Sequence, residues 1–169
     1  VDTVPFGAFE RALIDRIGPF DETLLTNEDY EFNTRIRQRG GVVWLDPAIR
    51  SVYFARSSLG DLARQYWRYG YWKRRMLKRY PGSLRWRQAL PPVFLLSLLV
   101  LAVGGLFFKL LWSLLGLELV AYAGVLCIAG ILSALKLKDW TLAAGLPLSI
   151  GVMHFSWGAG FLWSLLRNP

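Results

Sequence analysis

Apolar residues fall into three successive patterns along this chain. Through residue 55 they come in short, interrupted sets. Phe9, Leu13 and Ile17 recur every four residues, which predicts a short helix with one buried face, ended by Gly18-Pro19. A second helix is predicted from about Asn27 to Arg39, with Tyr30, Phe32 and Ile36 as its apolar positions and Gly40-Gly41 as its left-handed stop. Val42-Val43-Trp44-Leu45 then reads as a short strand, Asp46-Pro47 as a turn, and Ile49 to Phe54 as a second strand with partial alternation. The expected fold class for 1–55 is therefore α/β. A piece of this size rarely closes a core by itself, so it is expected to complete a sheet whose other strands lie upstream.

The second pattern, residues 56–88, is amphipathic. Leu59, Leu62, Tyr66 and Tyr69 mark an apolar stripe at helical spacing, and Ser58 with Asp61 forms a capping box in which Asp replaces the usual Glu. Trp67, Trp72 and Trp86 among many Lys and Arg suit an interfacial helix, rings at the headgroup level and cations on anionic lipid. The third pattern is continuous. Ala89 to Phe108 carries no charge, Leu110 to Leu135 only Glu118, and Trp140 to Leu166 none with His154 neutral. Three membrane spans are predicted, roughly 90–108, 117–135 and 142–165.

Charge sharpens this division. The chain has 169 residues and a formal net charge of +8, with 54% hydrophobic and 19% charged residues. Of its 12 acids, all but Glu118 and Asp139 lie at or before Asp61. Nine cations, from Arg64 to Arg87, stand directly before the first predicted span. By the positive-inside rule they place that side in the cytoplasm, with the 136–139 loop returning to the same side and Asn168 outside. Their position favours lipid headgroups over nucleic acid as the anion they meet. Cys127 is the one cysteine, so no disulfide forms within the chain. The chain opens on Val1 without Met or a signal-peptide pattern, and is expected to be a piece of a longer protein.

Two clusters carry candidate chemistry. In Asn27-Glu28-Asp29-Tyr30-Glu31-Phe32-Asn33 the acids stand at a helix start, where backbone N–H groups and the helix dipole keep carboxylates ionised. A carboxylate held there suits a general base; equally, acids favour the first turn of any surface helix. In Gln65-Tyr66-Trp67-Arg68-Tyr69, the residues Gln65, Arg68, Tyr69 and Trp72 share one helix face. An Arg beside an amide matches a diphosphate, and nearby rings match a sugar. The other reading is an interfacial helix with its cations on lipid headgroups.

In this order, and followed by an apolar tail, the two motifs resemble the second half of a membrane-anchored family 2 glycosyltransferase of the GT-A fold. The resemblance covers nearly the whole chain. It implies that Asp29 is the general base and Glu28 its support. The segment Asp2-Thr3-Val4-Pro5-Phe6-Gly7-Ala8-Phe9 is similar to that family's small-residue loop, where Gly7 and Ala8 leave room for substrate. Gln65-Tyr66-Trp67-Arg68-Tyr69 resembles its Gln-x-x-Arg-Trp motif, so Gln65 and Arg68 inherit contact with the nucleotide diphosphate, and Tyr69 and Trp72 the acceptor side. Tyr69 departs from the expected Trp, which bears on acceptor details and processivity. Ile17-Gly18-Pro19-Phe20-Asp21-Glu22 looks like the turn before the acidic motif, with Asp21 and Glu22 expected to be structural or solvated rather than catalytic. His154-Phe155-Ser156-Trp157-Gly158-Ala159-Gly160-Phe161 is similar to a pattern in succinoglycan-type bacterial glucosyltransferases.

The resemblance implies a transferase moving a sugar from a nucleotide sugar, a UDP-sugar by expectation, to a lipid-linked or polysaccharide acceptor with inversion, in surface polysaccharide biosynthesis. It implies a bacterial inner (plasma) membrane location with the catalytic part cytoplasmic, and membrane lipids as neighbours. The full-length enzyme is expected to use a divalent metal, Mg or Mn, through an Asp-x-Asp motif that this chain lacks. No metal ligand is assigned within the chain, and the fragment alone is expected to be inactive. The competing reading is a non-enzymatic membrane scaffold or transporter subunit with a basic cytoplasmic collar.

Overall fold

A computed structural model describes residues 1, 3–4 and 7–167. Helix α1 spans Arg11–Ile17 and α2 spans Glu28–Gln38. Each ends on a glycine with positive φ, Gly18 at 84° and Gly40 at 78°, where an L side chain would be strained. Asn27 precedes α2 in the left-handed region, at φ 68°, a conformation Asn tolerates better than most residues. Ile17, Phe32, Ile36 and Val43 form a small core, closed at one side by stacking of Phe20 on Phe32.

Among the described residues there is no strand, and the α/β expectation is overturned. Residues 42–45 and 49–54 are extended or irregular chain without ladder hydrogen bonds. The physical reason is that a strand is stable only within a ladder and on a covered face. These β-rich runs have neither: Val52 is 79% and Phe54 86% exposed. Only Val43 is buried, as a plug against Ile17, Phe32 and Ile36. Asp46-Pro47 does turn the chain, with Asp46 accepting from the Ala48 N–H at 2.8 Å.

Helix α3 spans Leu59–Arg79, and Ser58 caps it by accepting from the Asp61 N–H at 3.1 Å. A 3-10 turn, Pro81–Ser83, leads to α4 (Trp86–Gly105), α5 (Leu110–Leu137) and α6 (Thr141–Leu166). These last three, of 20, 28 and 26 residues, are long and apolar enough to cross a membrane. At 1.5 Å per residue they measure about 30, 42 and 39 Å.

Helix α5 pairs antiparallel with both neighbours. Gly105 meets Trp112 and Ser97 donates to Glu118 Oε1 at 2.6 Å on the α4 side. Tyr122 bonds His154 at 3.0 Å and Gly130 meets Ala143 and Pro147 on the α6 side. Between α3 and α6 the packing is backbone on backbone. A Cβ at Gly70 would collide with the Trp157 carbonyl, and one at Gly160 with the Trp67 carbonyl. Gly158 sits as closely on Pro91, where a Cβ would stand 2.7 Å from the carbonyl oxygen. Arg74, read from sequence as a lipid-facing cation, donates instead to the Ser164 carbonyl in the last turn of α6, satisfying an orphan helix-end acceptor.

Candidate active-site clefts

The acidic motif and the Gln/Arg motif, about forty residues apart in sequence, meet across two adjoining clefts. One, of about 340 Å³, is lined by Thr26, Asn27, Glu28, Asp29, Tyr30 and Tyr69, with Thr3 and Leu25. The other, of about 360 Å³, is lined by Thr26, Arg56, Asp61, Arg64, Gln65, Arg68 and Tyr69. Thr26 and Tyr69 line both. On α3 the residues 61, 64, 65, 68 and 69 form one stripe, as a period of 3.6 requires.

The clefts are joined by direct contacts. Asn27 Nδ2 donates to the Tyr69 carbonyl at 3.4 Å. Gln65 Nε2 donates to Tyr69 Oη at 2.7 Å, and its Oε1 accepts from Arg56 Nε at 3.1 Å. Asp61 is held below the usual carboxylate range by hydrogen bonds from Ser58 and Arg64 and by the Arg64 charge. Three guanidiniums and an amide thus face one acid, so the second cleft suits an anion. Glu28 and Asp29 are exposed at the first turn of α2, and Asp29 Oδ1 accepts from the Tyr30 N–H at 2.6 Å.

Below the clefts lies a contact set that the sequence reading passed over. Lys73 is 2% exposed. Its Nζ lies 4.0 Å from the Tyr30 ring centroid and donates to the Ser83 carbonyl at 3.2 Å. Tyr30 Oη donates to the same carbonyl at 3.2 Å. Burial, reinforced by the Arg37 and Arg85 charges, pulls the Lys73 ammonium down to about 8. The signal was present in the stripe: extended past Leu62, Tyr66 and Tyr69, it reaches 73 and 76, and Met76 is fully buried. Glu31, the third acid of the motif, is structural. It is 1% exposed and pairs with Arg35 at 2.7 Å. Arg35 in turn donates to the carbonyls of Ile17 and Pro19, fixing the turn before the motif. Asp21, expected to be structural, caps Thr23 and pairs with Arg79.

Gly7 and Ala8 do not join this constellation. They line a separate cavity of about 400 Å³ with Leu13, Asn33, Val43 and Trp44, on the far side of α2. Asp2, Pro5 and Phe6 of the same segment lie outside the described residues, and Thr3 alone reaches the acidic cleft, held by Asn33 Nδ2 at 2.8 Å. Trp72 lines neither cleft and packs edge-on against Tyr71 beneath the Arg75 guanidinium. Among the described residues no group of three or more His, Cys, Asp or Glu could hold a metal ion. The described residues do not fit a divalent-ion site, and no step below is routed through one.

No family model matches the chain, and no solved structure does. Two curated proteins do. The chain is 30% identical over 156 residues, 89% of its length, to the succinoglycan biosynthesis protein ExoA of Rhizobium meliloti (strain 1021), of which it covers 44%. It is 26% identical over 168 residues, 99% of its length, to the dolichyl N-acetyl-alpha-D-glucosaminyl phosphate 3-beta-D-2,3-diacetamido-2,3-dideoxy-beta-D-glucuronosyltransferase of Methanococcus voltae, of which it covers 48%. The chain therefore spans less than half the length of each relative. The two relatives bear out the resemblance read from the motifs, one being a succinoglycan biosynthesis protein and the other named as a glycosyltransferase.

Proposed function

We propose that this chain forms the base and leaving-group side of a membrane-bound, inverting glycosyltransferase. The reaction moves a sugar from a nucleotide sugar, a UDP-sugar in this reading, to a lipid-linked or polysaccharide acceptor. The observation that carries the proposal is the shared wall of the two clefts, which brings a carboxylate and an anion-binding stripe together. Asp29 takes the proton from the acceptor hydroxyl as its oxygen attacks the anomeric carbon, and Glu28 supports it at the helix start. The bond from that carbon to the diphosphate breaks, and Arg68 and Gln65 meet the charge left on the leaving oxygens. Tyr69 stands between the two groups. In this reading the site works at the cytoplasmic face of the bacterial inner membrane, which three helices long and apolar enough to cross a membrane support. Among the described residues no cluster of three or more acids, His or Cys offers a ligand set for the Mg or Mn that the resemblance implies.

The test compares variants of the full-length enzyme in detergent. Asp29→Asn is expected to lower turnover by about two to four orders of magnitude with donor binding little changed. Arg68→Ala is expected to weaken nucleotide sugar and free nucleotide diphosphate alike by about ten- to a hundredfold, the scale of a charged hydrogen bond. Lys78→Ala, outside the cleft, serves as the control. Near-normal turnover in Asp29→Asn removes Asp29 from the mechanism; equal small effects at Arg68 and Lys78 remove the diphosphate role.

A further inference from the structure

We propose that Lys73 is a positioning residue that sets the distance between the acidic motif on α2 and the anion-binding stripe on α3. The proposal rests on the role given to Asp29 above, and on geometry that is independent of it. Lys73 projects from α3 but touches no cleft. It sits beneath Tyr30, the residue next to Asp29, with its ammonium over the ring at 4.0 Å. Lys73 Nζ and Tyr30 Oη both donate to one acceptor, the Ser83 carbonyl, each at 3.2 Å. Three segments, α2, α3 and the turn before α4, are thereby pinned at one point. Nearby, Asn27 at the start of α2 donates to the Tyr69 carbonyl of α3 at the longer distance of 3.4 Å.

The chemistry of the pin is specific. A buried ammonium with one carbonyl acceptor and an aromatic face is stabilised only while those partners are in place, because desolvating the charge is otherwise costly. Arg37 from α2 and Arg85 from the segment before α4 face it with like charge, and no carboxylate is among the charges acting on it. A neutral side chain of equal length would keep the packing and lose the directional hold. Lys73 differs in this from its neighbours on α3: Arg74 donates to the Ser164 carbonyl, Arg75 lies over Trp72 and Arg79 pairs with Asp21.

The sign of the pH effect follows. Lys73 titrates near 8, below its ordinary value, so the cation is present below that pH and lost above it. Because burial lowers this value, the pinned arrangement binds the proton less tightly than a solvated lysine does, so raising the pH through 8 relieves the desolvation cost and should not loosen the pin. Arginine at this position stays charged throughout.

The experiment uses the full-length protein in lipid nanodiscs, with spin labels at Gln38 on α2 and Lys78 on α3, and nucleotide sugar as donor. Lys73→Met is expected to broaden the distance distribution between the labels. It is also expected to lower kcat at least tenfold while nucleotide affinity changes less than threefold. Lys73→Arg, which keeps a charged donor, is expected to keep a narrow distribution and to restore most of the kcat that Lys73→Met loses. Should Lys73→Met fail to purify as a single species, Tyr30→Leu removes the ring and hydroxyl and should broaden the distribution in the same way. An unchanged distribution in Lys73→Met or Tyr30→Leu overturns the proposal, as does a Lys73→Arg protein as slow and as broad as Lys73→Met. A broadened distribution together with an active Asp29→Asn protein would keep the pin and sink only the base assignment.

Discussion

Thr26 stands where the two clefts meet, and its buried hydroxyl has no hydrogen-bond partner among the described residues. An orphaned hydroxyl costs folding free energy, and an isosteric apolar replacement removes that cost. Thr26→Val should therefore leave thermal stability unchanged or slightly raised. If the hydroxyl is kept for substrate, the same variant should weaken substrate affinity about two- to tenfold, the value of a neutral hydrogen bond. Paired melting and binding measurements separate the two: unchanged affinity with raised stability would leave Thr26 without a substrate role. Nothing in the sequence singles out Thr26, because its distinction is the absence of a partner. Glu28 and Asp29 are the opposite case. Their helix-start position is a local property, and the structure keeps them exposed at the rim of a cleft.

At the scale of elements, the crossing of α3 on α6 decides whether the stripe of Gln65, Arg68 and Tyr69 faces the acidic cleft. The two backbones touch because both contact positions are glycine. A side chain at Gly160 would drive into the Trp67 carbonyl, one turn from Gln65 and Arg68. Gly160→Leu should cost about 1–3 kcal/mol of stability, the usual range for overpacking. It should also tilt α3 and lower nucleotide affinity; Gly151→Leu, at a helical glycine with open space around it, should do neither. Melting and nucleotide titration on the two variants check this, and equal losses in both would argue for general helix disruption. Helices were legible where their signals are local: Ser58 and Asp61 at the start of α3, Gly18 and Gly40 as stops. The 42–54 region was misread because β-propensity describes fit to a covered, pleated surface. Valine and isoleucine there cannot create the partner strand. Lys73 was misassigned to the collar because composition outweighed its place on the apolar stripe.

For the whole molecule, the contacts constrain which side of the membrane each end occupies. The 1–57 region rests on α3 through Tyr30, Asn27 and Asp21. The opposite face of α3 packs on the last third of α6, from Trp157 to Ser164. The end of α6 therefore lies on the same side as the clefts. Helix α5 runs antiparallel beside α6 from Tyr122 to Gly130, so their connecting turn at 138–140 lies at the other end of the pair. Three full crossings would put the end of α6 opposite the clefts, as the hydropathy pattern had suggested. An even number is required if α3 is to reach both partners. The prediction is that α5 and α6 cross while α4, one continuous helix, keeps both ends on the collar side and lies along that interface, where Pro91-Pro92 and the close seat on Gly158 already set it apart from a free-standing span. By the positive-inside rule, nine collar cations against Lys136 and Lys138 lead us to expect the collar on the cytoplasmic side. Single cysteines introduced at Phe107 and Lys138 in a Cys127→Ser background, probed with a membrane-impermeant maleimide on intact cells, would decide. Labelling at 138 but not at 107 is expected. The reverse pattern would restore three crossings, and would mean that α3 cannot hold the 1–57 region and the end of α6 at once.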